Sequence, residues 1–423
     1  MARYRLGLLA GAAALVASIS AVSAQAETVS MFCSATDYEL CEKGAAEWSK
    51  TSGHEVKINR MPQNLDDAIP IYQQLFAANS ADVDVLYIDV IWLGMFKDHL
   101  ADLTPLVPED EVKAHFASAT EAARLEGKLT AMPFYIDTGL MFYRKDLLEK
   151  YGKQPPKTWD ELTTTAKEIQ DAERAAGSPD IWGYVWQGRS YEGLTCDALE
   201  WIASSGGGTI VADTGEVTIN NPKAVEALTR ARDWVGSISP QGVLNYDEEA
   251  SRAVFESGNA VFHRNWPYVW GTSQAQGAGL AGKVGVTALP VGAEGERSSG
   301  SLGTAYLGIS KYSKKQEISA ELLRYMVGLE DQKMRAIEGG YNPTVAALYE
   351  DTDVLAKIPF LEMAKSAFEE SVARPSAVTG KNYNRVSRTF YRAVHEIISG
   401  ADDVAGTVEQ MARRIERDVK AAE

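Results

Sequence analysis

The stretch Val83–Gly94, VDVLYIDVIWLG, places the tightest constraint on this chain. Its apolar and β-branched residues Val83, Val85, Leu86, Ile88 and Val90 are punctuated by Asp84 and Asp89. A short apolar run of this kind predicts a buried parallel strand, Asp84 to Ile88, that runs directly into a short helix over Val90–Lys97. Asp89 then stands where strand becomes helix, and two roles are open to it there. It can cap the helix, accepting from the orphan N–H groups of the first turn. It can also face a ligand, because open α/β sheets bind ligands beyond the carboxyl ends of their strands.

The same alternation surrounds this stretch. Thr28–Cys33 predicts a strand, Tyr38–Lys50 a helix stopped by Gly53, Val56–Arg60 a strand and Asp66–Ala78 an amphipathic helix. This β-α-β-α-β order predicts right-handed crossovers and a parallel sheet. Lys128–Tyr143 reads as two strands joined by a crossing at Asp137-Thr138-Gly139, which marks a domain boundary. Helices are predicted from the Thr158 capping box to about Ala175, over Tyr191–Ser204, Pro222–Val235 and Glu248–Glu256. Strands are predicted over Ile181–Gln187, Ala260–His263, Val284–Pro290 and Ala305–Ser310. Strands on both sides of Asp137 predict two α/β lobes with a cleft between them, and such clefts are common small-molecule sites.

The first 26 residues have a different character. Arg3 and Arg5 precede the apolar run Leu6–Val22, and Ala24-Gln25-Ala26 has the form of a cleavage site. This is the pattern of a secretory signal peptide, with the mature chain beginning at Glu27. Its removal takes the formal charge from −16 to −18. An acidic exported protein is a poor ligand for nucleic acid or anionic lipid. No cysteine follows the cleavage site to carry a lipid anchor, so a periplasmic destination is the simplest expectation. Cys33 and Cys41 lie close enough to pair in an oxidising compartment, which would leave Cys196 over; two buried thiols are the other reading.

The chain carries no G-x-S-x-G, H-E-x-x-H or P-loop motif, and no dinucleotide G-x-G-x-x-G after a strand. Its five histidines are scattered, so neither a zinc site nor another cofactor is expected. Asp89 and Asp137 could form a hydrolytic carboxylate pair. A sugar cleft fits the residue types better. Aromatic rings cover the apolar faces of a pyranose, while carboxylates and guanidinium groups take its hydroxyls. Trp266, Tyr135, Asp89, Asp137 and Arg374 supply that inventory, all on predicted strand ends or loops.

Seven segments in order carry a family resemblance: Asp82–Gly94, Met132–Leu148, Pro156–Leu162 (PKTWDEL), His263–Tyr268 (HRNWPY), Leu302–Lys315, Gly339–Thr344 (GGYNPT) and Ala373–Pro375. Over essentially all of the mature chain, the sequence resembles the extracytoplasmic solute-binding proteins of ABC sugar importers, more narrowly the trehalose/maltose type. The resemblance implies a two-lobed periplasmic-binding-protein fold with a multi-crossing hinge. Its lobes would be 27–136 with 290–342, and 137–289 with 343–423. It implies a monomer without catalysis that captures an α-glucoside disaccharide, trehalose foremost, and delivers it to a membrane permease. The alternatives are a secreted carbohydrate-active enzyme and a receptor for a non-sugar solute. Carried over by position, the ligand residues are Asp89, Tyr135, Asp137, Trp266, Gly303 and Arg374. Asp37 occupies the first strand-to-helix loop. Gln63 or Asn64 supplies a polar group after the second strand, and Tyr306 stands in for an aromatic that relatives place slightly elsewhere.

Overall fold

The computed structural model describes residues 26–420. The expected leader therefore lies, apart from Ala26, outside the described residues.

Nine strands build two sheets: β1 Thr28–Cys33, β2 Glu55–Arg60, β3 Val85–Asp89, β4 Met132–Tyr135, β5 Leu140–Arg144, β6 Trp182–Val185, β7 Ala260–Asn265, β8 Val284–Thr287 and β9 Ala305–Ile309. The first sheet has the order β2-β1-β3-β9-β4 and the second β8-β5-β7-β6. β4 and β5, adjacent in sequence, fall in different sheets, so the chain crosses between them as the Asp137 segment predicts.

The first three strands pair in parallel, as their alternation with helices predicts, and β9 then breaks the pattern. β1 runs parallel to both β2 and β3, but β9 is antiparallel to β3 and β4. The reason is topological. β9 returns from the second sheet without a βαβ crossover, and only such a crossover imposes parallel direction. Its register places Ala305 opposite both Asp89 and Tyr135. The start of β9 and the carboxyl ends of β3 and β4 thus meet at one edge. In the second sheet Leu140 pairs with Asn265, so the chain leaving β7 emerges beside the crossing that enters β5.

Three crossings lie against one another. Thr138 bridges Leu302, and Ser301 bridges Val372. Gly303 N–H donates to the Asp137 carbonyl at 2.8 Å, and Leu302 N–H to the Val372 carbonyl at 2.9 Å. They form a narrow hinge ribbon between the lobes.

Helices cover the sheets with apolar stripes. Trp159–Ala175 starts on Thr158, whose hydroxyl accepts Glu161 N–H at 3.1 Å, and buries Trp159, Leu162, Ala166 and Ile169. At alternating three- and four-residue spacing these fall on one face. Tyr383–Ile398 buries Tyr383, Val386, Phe390, Val394 and Ile397, and packs on Val404–Lys420 and on Glu192–Ala203. Val345, Leu348, Val354, Ile358 and Leu361 cluster with Ala336 of the helix Leu329–Gly339.

Candidate functional site

A cavity opens where the two sheets face each other. Asp89 ends β3, lines this cavity and takes the capping role. Its Oδ1 accepts Ile91 N–H at 3.0 Å, capping the short helix that follows. The same oxygen accepts from Arg374 Nη2 at 3.2 Å. Arg374 is 6% exposed and reaches three groups at once. Besides Asp89, its Nη1 donates to Glu192 Oε1 at 2.9 Å and its Nη2 to the Leu302 carbonyl at 3.2 Å. Glu192 also accepts from the hydroxyls of Tyr383 and Ser387. Burial raises the Glu192 carboxyl above its ordinary value, and the Arg374 charge opposes that rise.

On the opposite side, Trp266 follows β7. The Arg264 guanidinium carbon lies 4.2 Å from its ring centroid, so a cation backs one face of the indole. Gly303 fits against the ring edge; a Cβ there would come within 2.6 Å of Trp266 Cζ3. Asp137 is buried next to this contact, and its Oδ1 has no hydrogen-bond partner. Burial, reinforced by the Asp37 charge, pushes the Asp137 carboxyl well above the usual carboxylate range, with Arg264 opposing. A carboxyl accepts from a ligand hydroxyl, and in its protonated form can also donate to one. Tyr135 completes this wall, its hydroxyl 2.7 Å from that of Tyr87.

Gln63, Asn64, Asp89, Tyr135, Asp137, Trp266, Gly303 and Arg374 therefore share one cavity. Asp37 and Tyr306 do not line it. Asp37 is 1% exposed and spends Oδ2 on Arg335 Nη1 at 3.3 Å. Arg335 also binds Asp331 Oδ2 at 2.5 Å, which makes Asp37 part of a buried charge cluster rather than a wall residue. Tyr306 is turned by strand alternation into the packed layer, where its hydroxyl donates to the Ala119 carbonyl at 3.0 Å. Cys33 and Cys41 are joined as a disulfide with Cα atoms 6.5 Å apart, and Cys196 is a buried free thiol. Cys33, Asp37 and Cys41 bring ligand-type atoms within 4.8 Å of one another, but that bond occupies both sulfurs.

The cavity also gathers residues to which sequence reasoning gave no role. Asp66, Tyr87, Glu192, Glu248, Tyr268 and Tyr341 line it. Tyr268 and Tyr341 lie inside two of the quoted motifs, HRNWPY and GGYNPT. Asp66 carries a further contact across the cleft: its Oδ2 accepts Glu192 N–H at 3.1 Å, at the start of the helix Glu192–Ala203. A carboxylate at a helix N-terminus is favourably placed.

The model of bacterial extracellular solute-binding proteins matches residues 35–333. The chain belongs to that family. A probable ABC transporter-binding protein from Deinococcus radiodurans is 46% identical over 387 residues, covering 91% of this chain and 92% of the relative. The maltose-bound MalE3 structure from T. maritima superposes with a TM-score of 0.87 at 35% identity, covering 94% of this chain and all of that one. The GacH receptor of Streptomyces glaucescens, at 23% identity, has the same fold with a TM-score of 0.81. This extracellular solute-binding protein thus has the two-lobed periplasmic-binding-protein fold. Among its described residues no helix is long and apolar enough to cross a membrane.

Proposed function

We propose that this solute-binding protein captures an α-glucoside disaccharide between its lobes and hands it to the membrane permease of an ABC importer. Trehalose is the foremost ligand, with sucrose and maltose next. The observation that carries this reading is the pairing of Trp266, backed by Arg264, with a neighbouring buried Asp137 whose Oδ1 lacks a partner. A flat apolar platform beside an unspent hydroxyl partner matches a pyranose. The 35% identical relative bound to maltose supports the same ligand class. In this proposal Gln63, Asn64, Asp89 and Tyr135 hold the sugar from lobe 27–136 with 290–342. Asp137, Trp266 and Arg374 hold it at the hinge and from lobe 137–289 with 343–423, and Gly303 leaves room for the ring. The protein works as a periplasmic monomer, released from its leader and unanchored, without cofactor or turnover.

Intrinsic fluorescence tests this directly, because the chain has nine tryptophans. Titration with trehalose, sucrose, maltose, glucose, glycerol 3-phosphate and a polyamine is expected to give saturable changes for disaccharides and little for the charged compounds. Disaccharide binding should be nearly indifferent to salt, because a neutral ligand has no charge to screen. Silence for every disaccharide, repeated in calorimetry, overturns the ligand class. Saturation by the polyamine alone selects a cationic solute, and hydrolysis of a disaccharide on long incubation selects an enzyme.

The cleft contact predicts a pH dependence. Burial, reinforced by the charge of Glu192, raises Asp66 from 3.8 to about 7. A carboxyl raised in the closed arrangement takes up a proton as the lobes close over it. Its contribution to closure is greatest at low pH and is lost as pH rises through 7. Disaccharide affinity should therefore fall several-fold between pH 6 and 8. Asp66→Asn should flatten the profile, and an unchanged slope in that variant would show that another group titrates.

A further inference from the structure

The helix Glu192–Ala203 lays Glu192, Cys196 and Glu200 along one face, at the four-residue spacing that stacks successive positions. This face runs the length of the hinge ribbon. Glu192 holds Arg374 in the crossing near Val372. The Cys196 carbonyl accepts the Ser301 hydroxyl at 2.9 Å. Glu200 Oε1 accepts Ser301 N–H at 2.9 Å. It also lies so close to the first crossing that a Cβ on Gly139 would come within 2.0 Å of it.

Glu200 has a second attachment. Its Oε2 accepts Arg264 Nε at 2.7 Å, and its Oε1 accepts Arg264 Nη2, a fork-to-fork pair. Gln187 takes Arg264 Nη1 at 2.9 Å. Glu200 and Arg264 are both wholly buried, and Arg264 is the cation behind the Trp266 ring. Hinge, carboxylate, guanidinium and indole form one continuous chain of contacts. Asp197, also wholly buried, lies 3.8 Å from Arg264 Nη1, so the guanidinium faces two carboxylates.

We propose that Glu200 is a positioning residue that couples the hinge to the Trp266 platform. A shift of the Gly139 and Ser301 crossings moves the Glu200 carboxylate. Arg264 moves with it, and the ring it supports changes its presentation to the cavity. The coupling rests on Trp266 being the sugar platform, but the first test below needs no sugar.

That test compares amide hydrogen exchange in the full mature chain and in its Glu200→Gln variant. Trp266 N–H donates to Asn265 Oδ1 at 2.8 Å and reports on the platform, while Ser301 N–H reports on the hinge. Exchange is expected to rise at both amides together, by about tenfold, with β1 and β3 unchanged. A rise at Ser301 with Trp266 unchanged overturns the coupling, as does no rise at either. If Glu200→Gln does not fold, Glu200→Asp keeps the charge but shortens its reach to Ser301 and Arg264, and is read in the same way.

The second test is a double-mutant cycle read by calorimetry with trehalose, sucrose and maltose. Glu200→Gln is expected to weaken the tightest of them about tenfold when Trp266 is present, and less than about twofold in Trp266→Ala. Equal losses in both backgrounds overturn the coupling. If none of the three sugars binds the unaltered protein, the ligand reading fails and the exchange result still decides the coupling.

Discussion

Replacing Arg374 by alanine is expected to lower the folding stability by about 3–5 kcal/mol, the cost of leaving buried charges without their partner. Three groups lose their donor in one step. Glu192 and Asp89 keep their carboxylates, and the Leu302 carbonyl is left facing the gap. Arg374→Lys should recover only part of the loss. An ammonium group is compact and lacks the planar fork that lets one side chain serve both carboxylates. The Arg374 side chain is nearly inaccessible, so salt screening offers little relief. Urea unfolding of the alanine variant measures the effect, and a loss below about 1 kcal/mol would mean that the two carboxylates find other partners. Disaccharide binding should fall with it, because Arg374 lies on both the cavity wall and the hinge ribbon.

Trp266→Ala carries the largest expected effect on binding itself. Losing the stacked face of a sugar ring should weaken disaccharide affinity by about 1–3 kcal/mol, roughly five- to 150-fold. Trp266→Phe should retain part of the affinity, since a smaller ring still covers some of the pyranose face. The Arg264 guanidinium loses its aromatic cover in the alanine variant, so its folding should be checked by circular dichroism before titration. Calorimetry then separates the two effects. An affinity equal to that of the unaltered protein would remove Trp266 from the proposed site.

Much of this architecture could be read from local chemistry, because its signals are local. A glycine stop at Gly53, a capping box at Thr158 and the turn from β3 into helix at Asp89 all depend on neighbours within a few residues. The cavity residues were reached through residue types on predicted strand ends and through the family resemblance, while at Asp89 itself local chemistry left capping and ligand contact both open. What could not be read depends on partners distant in sequence. Asp37 is taken up by Arg335, nearly three hundred residues later, and no local pattern reveals such a pair. Tyr306 was misplaced by one step of strand alternation, which only the register of β9 fixes. Asp66 looked like the first residue of a helix. Its reach to Glu192 exists only because two separate lobes meet.

The position of β9 also bears on how the protein is made. Among the described residues it is the only strand joining β4 to the rest of the first sheet, and it lies more than two hundred residues after β3. Until residue 309 is available, β3 has an open edge and β4 has no neighbour. The first sheet therefore cannot be completed on a chain that ends before β9. Such late pairing between distant segments slows folding. The first sheet thus stays incomplete until nearly three-quarters of the chain is available, and its closure is tied to a segment that has already passed through the second lobe.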